Sequence, residues 1–283
     1  MAVYIFYERK QWWSLFLVAY GLAAISFLTK GLPTVVFMGC TLMGWFFLNR
    51  QWKRFFSIQH AAGGLLFLLI VGAYYWVYES RNPEHLELLF GALWTDSSER
   101  TAGHFDVGKL IGHLALFGPR LLYEILPWSL LVIACVRKGW WKQLKEQPFV
   151  FYCAVVFAAN IWVYWISPGN NTRYLLMFFP LVSVVLIHFF ADRPLPLQNR
   201  IVTIAFRVIL VLAALAMWVF PFLPEFADAP YLLLKCCVLF VALAGLLFLS
   251  MRKPRAIVLV MVAGVLIGRI AFNWAQKQAL APS

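Results

Sequence analysis

Acidic residues are scarce in this chain: 12 Asp and Glu stand against 24 Lys and Arg in 283 residues, and charge of either sign makes up only 13%. Water-soluble domains carry about a quarter, so that class is excluded. No strand-length alternation of polar and apolar residues is present. That removes a membrane β-barrel and leaves helices, which satisfy their own backbone in lipid. Cysteines are few. Cys40, Cys135, Cys153, Cys236 and Cys237 lie in apolar runs without CxxC spacing, which fits small buried hydrophobes better than a disulfide framework or a zinc site. The start, with VYIFY running into the charged ERK, has no basic leader and no small-residue cleavage site, so no cleavable signal peptide is read. VYIFY looks instead like the end of an earlier membrane span.

What the chain has in abundance is apolar sequence, 63% of residues. The runs are mostly near the ~20 residues that a helix needs to cross a ~30 Å hydrocarbon layer. Nine are read, at roughly 11–29, 32–48, 58–78, 119–136, 148–166, 173–191, 201–221, 231–250 and 256–274. The expected fold is all-α: a polytopic membrane helix bundle forming a single integral membrane domain over 1–283. One long loop, 79–118, is expected to carry short amphipathic helices. Gly264-xxx-Gly268 matches the small-residue pattern of close helix contact.

The cations set the orientation. Alternate connections hold 15 of the 24 basic residues with three acids, for a net charge of +12, whereas the other side is neutral. By the positive-inside rule the basic side is cytoplasmic, which places the N-terminus inside, the C-terminus outside, and both loop 79–118 and the PGNNTR turn on the outer face. The overall charge of +12 then follows from topology and calls for no nucleic acid.

Chemistry-bearing residues collect on that outer face. Glu99, Arg100, His104, Asp106 and Lys109 share an eleven-residue window, Lys30 sits in the tight turn FLTKGLP, and Arg120 and Arg173 stand at the same level. Lysines at span ends often only snorkel to headgroups. Several cations converging with an imidazole and two asparagines, Asn170 and Asn171, point to a pocket for an anion at headgroup depth, most naturally a lipid phosphate. A divalent metal is a weaker reading: Glu84, His85, Glu87, Glu99 and His104 offer donors, but no HExxH or similar spacing joins them. His60, His113 and His188 read as structural.

The ordered set FLTKGLP, GAYYWVY before the long loop, ERTAGH, YEILPWSLL and WISPGNNTRYLLMFFPL resembles the GT-C glycosyltransferases that use lipid-linked sugars. It is most similar to the bacterial branch holding the protein O-mannosyltransferases and the lipid A aminoarabinose transferases (glycosyltransferase family 39), over about residues 1–191. The resemblance implies a bacterial inner-membrane enzyme that binds a polyprenyl-phosphate sugar and passes the sugar to an extracytoplasmic lipid, protein or glycan. It implies that Lys30, Arg100, His104, Arg173 and Tyr174 line the donor phosphate site, with Glu99, Asn170 and Asn171 in support and no certain cofactor. Two departures stand out. Family members often carry a lysine where this chain has Asn170 and Asn171. They also place several spans and a first outer loop, bearing the catalytic acid, before the lysine-glycine turn. The expectation is therefore of a fragment lacking its N-terminal part, with no catalytic residue assigned and neither Glu99 nor Asp106 taken as the base. A non-catalytic lipid-binding membrane subunit and a secondary transporter remain as alternatives, the transporter disfavoured because no internal repeat is read.

Overall fold

A computed structural model describes residues 1–82, 91, 107–167, 172–192, 195–222, 231–253 and 256–279, with backbone alone at 107, 109–110, 172–174, 272 and 274–279. The described residues are helical and contain no strand. In chain order the α-helices are α1 (Ala2–Glu8), α2 (Trp12–Lys30), α3 (Pro33–Leu48), α4 (Ile58–Arg81), α5 (Val107–Glu124), α6 (Val132–Cys135), α7 (Trp140–Lys145), α8 (Pro148–Trp165), α9 (Phe179–Ile187), α10 (Pro196–Ala216), α11 (Leu232–Arg252) and α12 (Ile257–Ala279).

Among the described residues, six helical stretches are long and apolar enough to cross a membrane: Trp12–Lys30, Ile58–Arg81, Pro148–Trp165, Leu175–Asp192, Pro196–Phe222 and Leu232–Arg252. The architecture is that of an integral membrane protein. The other three expected spans are not among these. Pro33–Leu48 is a shorter apolar helix, whose 16 residues reach only about 24 Å along the axis, and Ile257–Ala271 is the apolar part of α12, which runs on to Ala279 and covers the expected 256–274. The run read as a span over 119–136 falls on a pair of helices, Ile111–Glu124 and Trp128–Cys135, bent by 104°. Pro127 explains the break, since it has no N–H to give an i−4 carbonyl and pushes Leu126 away from helical dihedrals.

Helix ends follow local chemistry. Gly31, with φ 73°, closes α2 and its N–H reaches the Phe27 carbonyl at 2.7 Å. Pro33, Pro148 and Pro196 open α3, α8 and α10, where a missing N–H costs nothing. The Ser57 hydroxyl accepts from the His60 N–H and caps α4.

The chain forms two compact units, one of 1–126 and 138–185, the other of 127–137 and 186–283. In the first, α2 and α4 run parallel and touch where Gly63 meets Phe16 and Tyr20. The Tyr20 hydroxyl donates to His60 Nε2 at 2.6 Å while Nδ1 donates to the Phe55 carbonyl at 2.8 Å, so the imidazole is fully used. Helices α3 and α8 run antiparallel. Phe37 stacks on Tyr164, Asn160 Nδ2 donates to Thr41 Oγ1 at 2.9 Å, Gly44 faces Ala159, and Trp45 meets Tyr152 edge-on.

In the second unit, Val202, Phe206, Leu210 and Ala214 make a buried i, i+4 stripe along α10. Gly264 of α12 comes against Leu210, whereas a Cβ at Gly268 would meet nothing within 4 Å among the described residues. Arg207 donates to the Ser250 carbonyl at 2.7 Å and to its hydroxyl at 3.3 Å, satisfying a carbonyl in the last turn of α11. Arg137 donates to the Phe189 carbonyl at 3.1 Å and Gln198 to the Val136 carbonyl at 2.6 Å. These two bonds tie α6 to the π-helical turn His188–Asp192 and to α10. His188 Nδ1 pairs with Asp192 Oδ2 at 2.9 Å. All five cysteines are free.

Candidate functional site

The antiparallel register of α3 and α8 decides which turns meet. Phe37 lies against Tyr164, and Trp45 against Phe151 and Tyr152. The start of α3, just after Lys30 and Gly31, is therefore at the same end of the first unit as the end of α8. The segment after α8 returns to this end as the 3₁₀ helix Thr172–Phe178, whose Phe178 packs on Phe37 and Tyr164. Helix α5 joins it there. His113 Nε2 donates to the Tyr164 carbonyl at 3.2 Å, Trp165 Nε1 donates to the Leu114 carbonyl at 3.0 Å, and Phe117 stacks on Trp165. Beneath the surface a buried cluster of Phe117, Ile161, Tyr164, Leu175 and Phe178 locks the elements together. His113, expected to be structural, is one of the locks.

Of the residues expected at a phosphate site, Lys30 ends α2 with an exposed side chain. Arg173 and Tyr174 lie in the 3₁₀ helix, placed by backbone alone. Arg173 is five residues before the anchored Phe178, within about 10 Å along a 3₁₀ axis. Topology thus brings the Lys30 turn and the Arg173 segment to one end. Arg120 is exposed on α5. Arg100, His104, Glu99, Asn170 and Asn171 lie outside the described residues, as do Asp106 and the possible metal donors Glu84, His85 and Glu87. No group of three or more His, Cys, Asp or Glu able to hold a metal is found among the described residues.

The opposite end of the same unit is basic. It carries the α1–α2 turn with Arg9 and Lys10, the α3–α4 connection with Arg50, Lys53 and Arg54, and α7 with Lys142 and Lys145. Eight of the fifteen basic residues assigned to the cytoplasmic side, Arg9, Lys10, Arg50, Lys53, Arg54, Lys138, Lys142 and Lys145, thus belong to this end of the first unit. Cysteines introduced at positions 50–54 and 138–145 are expected to label from the cytoplasm, and those at 81–82 and 168–172 from outside. Equal labelling of both sets from one side would overturn the expected topology, and an exchange of sides would invert it.

Comparison with family models, curated proteins and solved structures finds no match to this chain. Sequence reading missed a feature at the basic end, where two helices close with a cation in the left-handed region, Lys10 and Arg50, both at φ 55°. The available signal was the recurrence of a cation-Gln-Trp triplet, KQW at 10–12 and RQW at 50–52.

Proposed function

We propose that this chain is a membrane glycosyltransferase of the GT-C type, transferring a sugar from a polyprenyl-phosphate donor to an extracytoplasmic lipid, protein or glycan. The observation that carries the reading is the ordered set FLTKGLP, ERTAGH, YEILPWSLL and WISPGNNTRYLLMFFPL. It gains from the fold, in which the turn after Lys30, helix α5 and the Thr172–Phe178 segment share one end of a unit, over a common buried cluster. In this reading Lys30, Arg100, His104, Arg173 and Tyr174 hold the donor phosphate, supported by Glu99, Asn170 and Asn171. That end faces the extracytoplasmic side of a bacterial inner membrane.

The chemistry follows from charge. As the sugar departs, its phosphate gains negative charge. Cations already fixed around it stabilise the transition state without reorganising. The lipid tail stays in the hydrocarbon layer while the headgroup reaches the cations at the interface, so a site at helix ends suits the donor better than one at mid-depth. The test uses the purified chain, a radiolabelled polyprenyl-phosphate sugar and an envelope acceptor extract. Expected is saturable binding that free polyprenyl phosphate competes away and an equally long polyprenol lacking phosphate does not. Competition by the polyprenol as strong as that by the phosphate would sink the site. Transfer by the chain, alone or with a co-expressed N-terminal part from a relative, would support the enzyme, and binding with no transfer in either arrangement would favour a lipid-binding subunit.

A further inference from the structure

Two turns at the basic end of the first unit are near copies. FYERKQW at 6–12 and FFLNRQW at 46–52 each close a helix and lead into a tryptophan. The Gln11 N–H reaches the Phe6 carbonyl at 2.9 Å, and the Gln51 N–H reaches the Phe46 carbonyl at 2.8 Å. The Lys10 N–H reaches Tyr7 at 3.0 Å, and the Arg50 N–H reaches Phe47 at 3.1 Å. This is the double-bonded helix terminus whose left-handed position is usually glycine. Here that position is a lysine and an arginine, each at φ 55°, in a region costly for any residue with a Cβ. Glycine does occupy the left-handed region in a third turn of the same end, where Gly139, at φ 73°, lies between Lys138 and the pair Trp140–Trp141. Two cations thus stand where backbone preference argues against them, which points to a use for their charge.

The three turns form one surface. The Arg54 guanidinium lies 4.0 Å over the Trp12 ring, and Tyr7 packs on both Trp12 and Trp45. Trp45 packs on Phe151, and Phe151 on Trp141, over which Lys145 Nζ sits at 5.0 Å. Trp13, Trp52, Trp140 and Trp141 are 43–53% exposed, and Lys10, Arg50, Lys53, Lys138, Lys142 and Lys145 are exposed among them. Indole rings settle at headgroup depth in a bilayer, and cations at that depth reach phosphate oxygens. A zwitterionic headgroup brings its own ammonium and cancels the attraction, whereas an anionic phosphate diester does not.

We propose that this end of the unit is a binding surface for anionic glycerophospholipids, with Lys10 and Arg50 presented to their phosphates by the two helix-end turns. The surface lies at the opposite end from Lys30 and is independent of the proposed donor site. The test reconstitutes the full chain with spin-labelled phosphatidylglycerol or phosphatidylcholine and measures the motionally restricted fraction of each. The wild-type chain is expected to restrict phosphatidylglycerol preferentially, with the preference falling as salt rises. The pair Lys10→Asn and Arg50→Asn should lower the preference by up to about fivefold per cation. Its melting temperature should hold, because asparagine tolerates the left-handed region. If that pair loses its fold, the pair Lys10→Gly and Arg50→Gly decides, since glycine removes the backbone cost together with the charge. Equal restriction of both lipids by the wild-type chain, or a preference that survives in a folded variant pair, overturns the proposal.

Discussion

Replacing Arg173 by alanine is expected to weaken polyprenyl-phosphate binding roughly ten- to a hundredfold, the worth of about 1.5–3 kcal/mol for hydrogen bonds from a cation to a charged group. The segment holding Arg173 is positioned from below by Leu175 and Phe178, both buried in the cluster that also receives Phe117 and Tyr164. Removing the guanidinium should therefore leave the backbone in place, and the loss should appear in affinity while the melting temperature holds. Lys30→Ala should weaken the same ligand. If both cations hold one phosphate, the double variant should lose less than the two single losses combined, because residues sharing a partner are not additive. Titrating a fluorescent polyprenyl phosphate into each purified variant gives the answer. Unchanged affinity in Arg173→Ala would remove this residue from the site, and full additivity would place the two cations on separate ligands.

A second large effect is expected inside the first unit. A Cβ at Gly63 would lie 2.5 Å from Tyr20 Cδ2 and 3.0 Å from the Phe16 carbonyl oxygen. The carbonyl is backbone and cannot step aside. The Tyr20 ring is held by its hydroxyl, 2.6 Å from His60 Nε2. Gly63→Ala must therefore push α4 off α2, at a cost of about 1–3 kcal/mol, as overpacking typically brings, and Gly63→Leu should cost more. The adjacent residue supplies the control. Nothing lies within 4 Å of a Cβ at Gly64, so Gly64→Ala should be neutral or stabilise by about 0.5–1 kcal/mol through the backbone entropy of glycine in a helix. Unfolding midpoints in a detergent titration compare the two, and equal midpoints for Gly63→Ala and Gly64→Ala would contradict the close approach of α2 and α4.

The sequence marks elements best where local chemistry acts alone. The expected run 11–29 is the helix Trp12–Lys30, because Gly31 supplies the turn that stops it. The expected 148–166 is Pro148–Trp165, because a proline opens it. The bend within the expected span 119–136 was hidden because hydropathy averages composition and carries no direction. Leu126 and Pro127 are apolar and raise the average while breaking the axis. The 3₁₀ form of Thr172–Phe178 was equally hidden, since its packing depends on Tyr164 across an intervening turn and on Phe37, more than a hundred positions away. Alternation of crossings made it legible that the Lys30 and Arg173 turns share an end, with no side-chain detail needed. The paired helix-end turns were missed for the opposite reason. Their likeness is a backbone conformation shared by lysine and arginine, and a search for repeated residues passes over seven positions so loosely matched.

The two units interleave along the chain, and this constrains the order in which the protein can be made. Residues 127–137 belong with 186–283, yet 138–185 belong with 1–126. On the ribosome, at ~5–20 residues per second, about 2–10 s pass between the emergence of Arg137 and that of Phe189, whose carbonyl its guanidinium binds. Through that interval Arg137 has the local Ala134 carbonyl for its Nε but not yet the carbonyl of Phe189, while helix α8 already has α3 to pack against. Closure of the second unit around 127–137 therefore has to wait until the whole of 138–185, which packs elsewhere, has been synthesised.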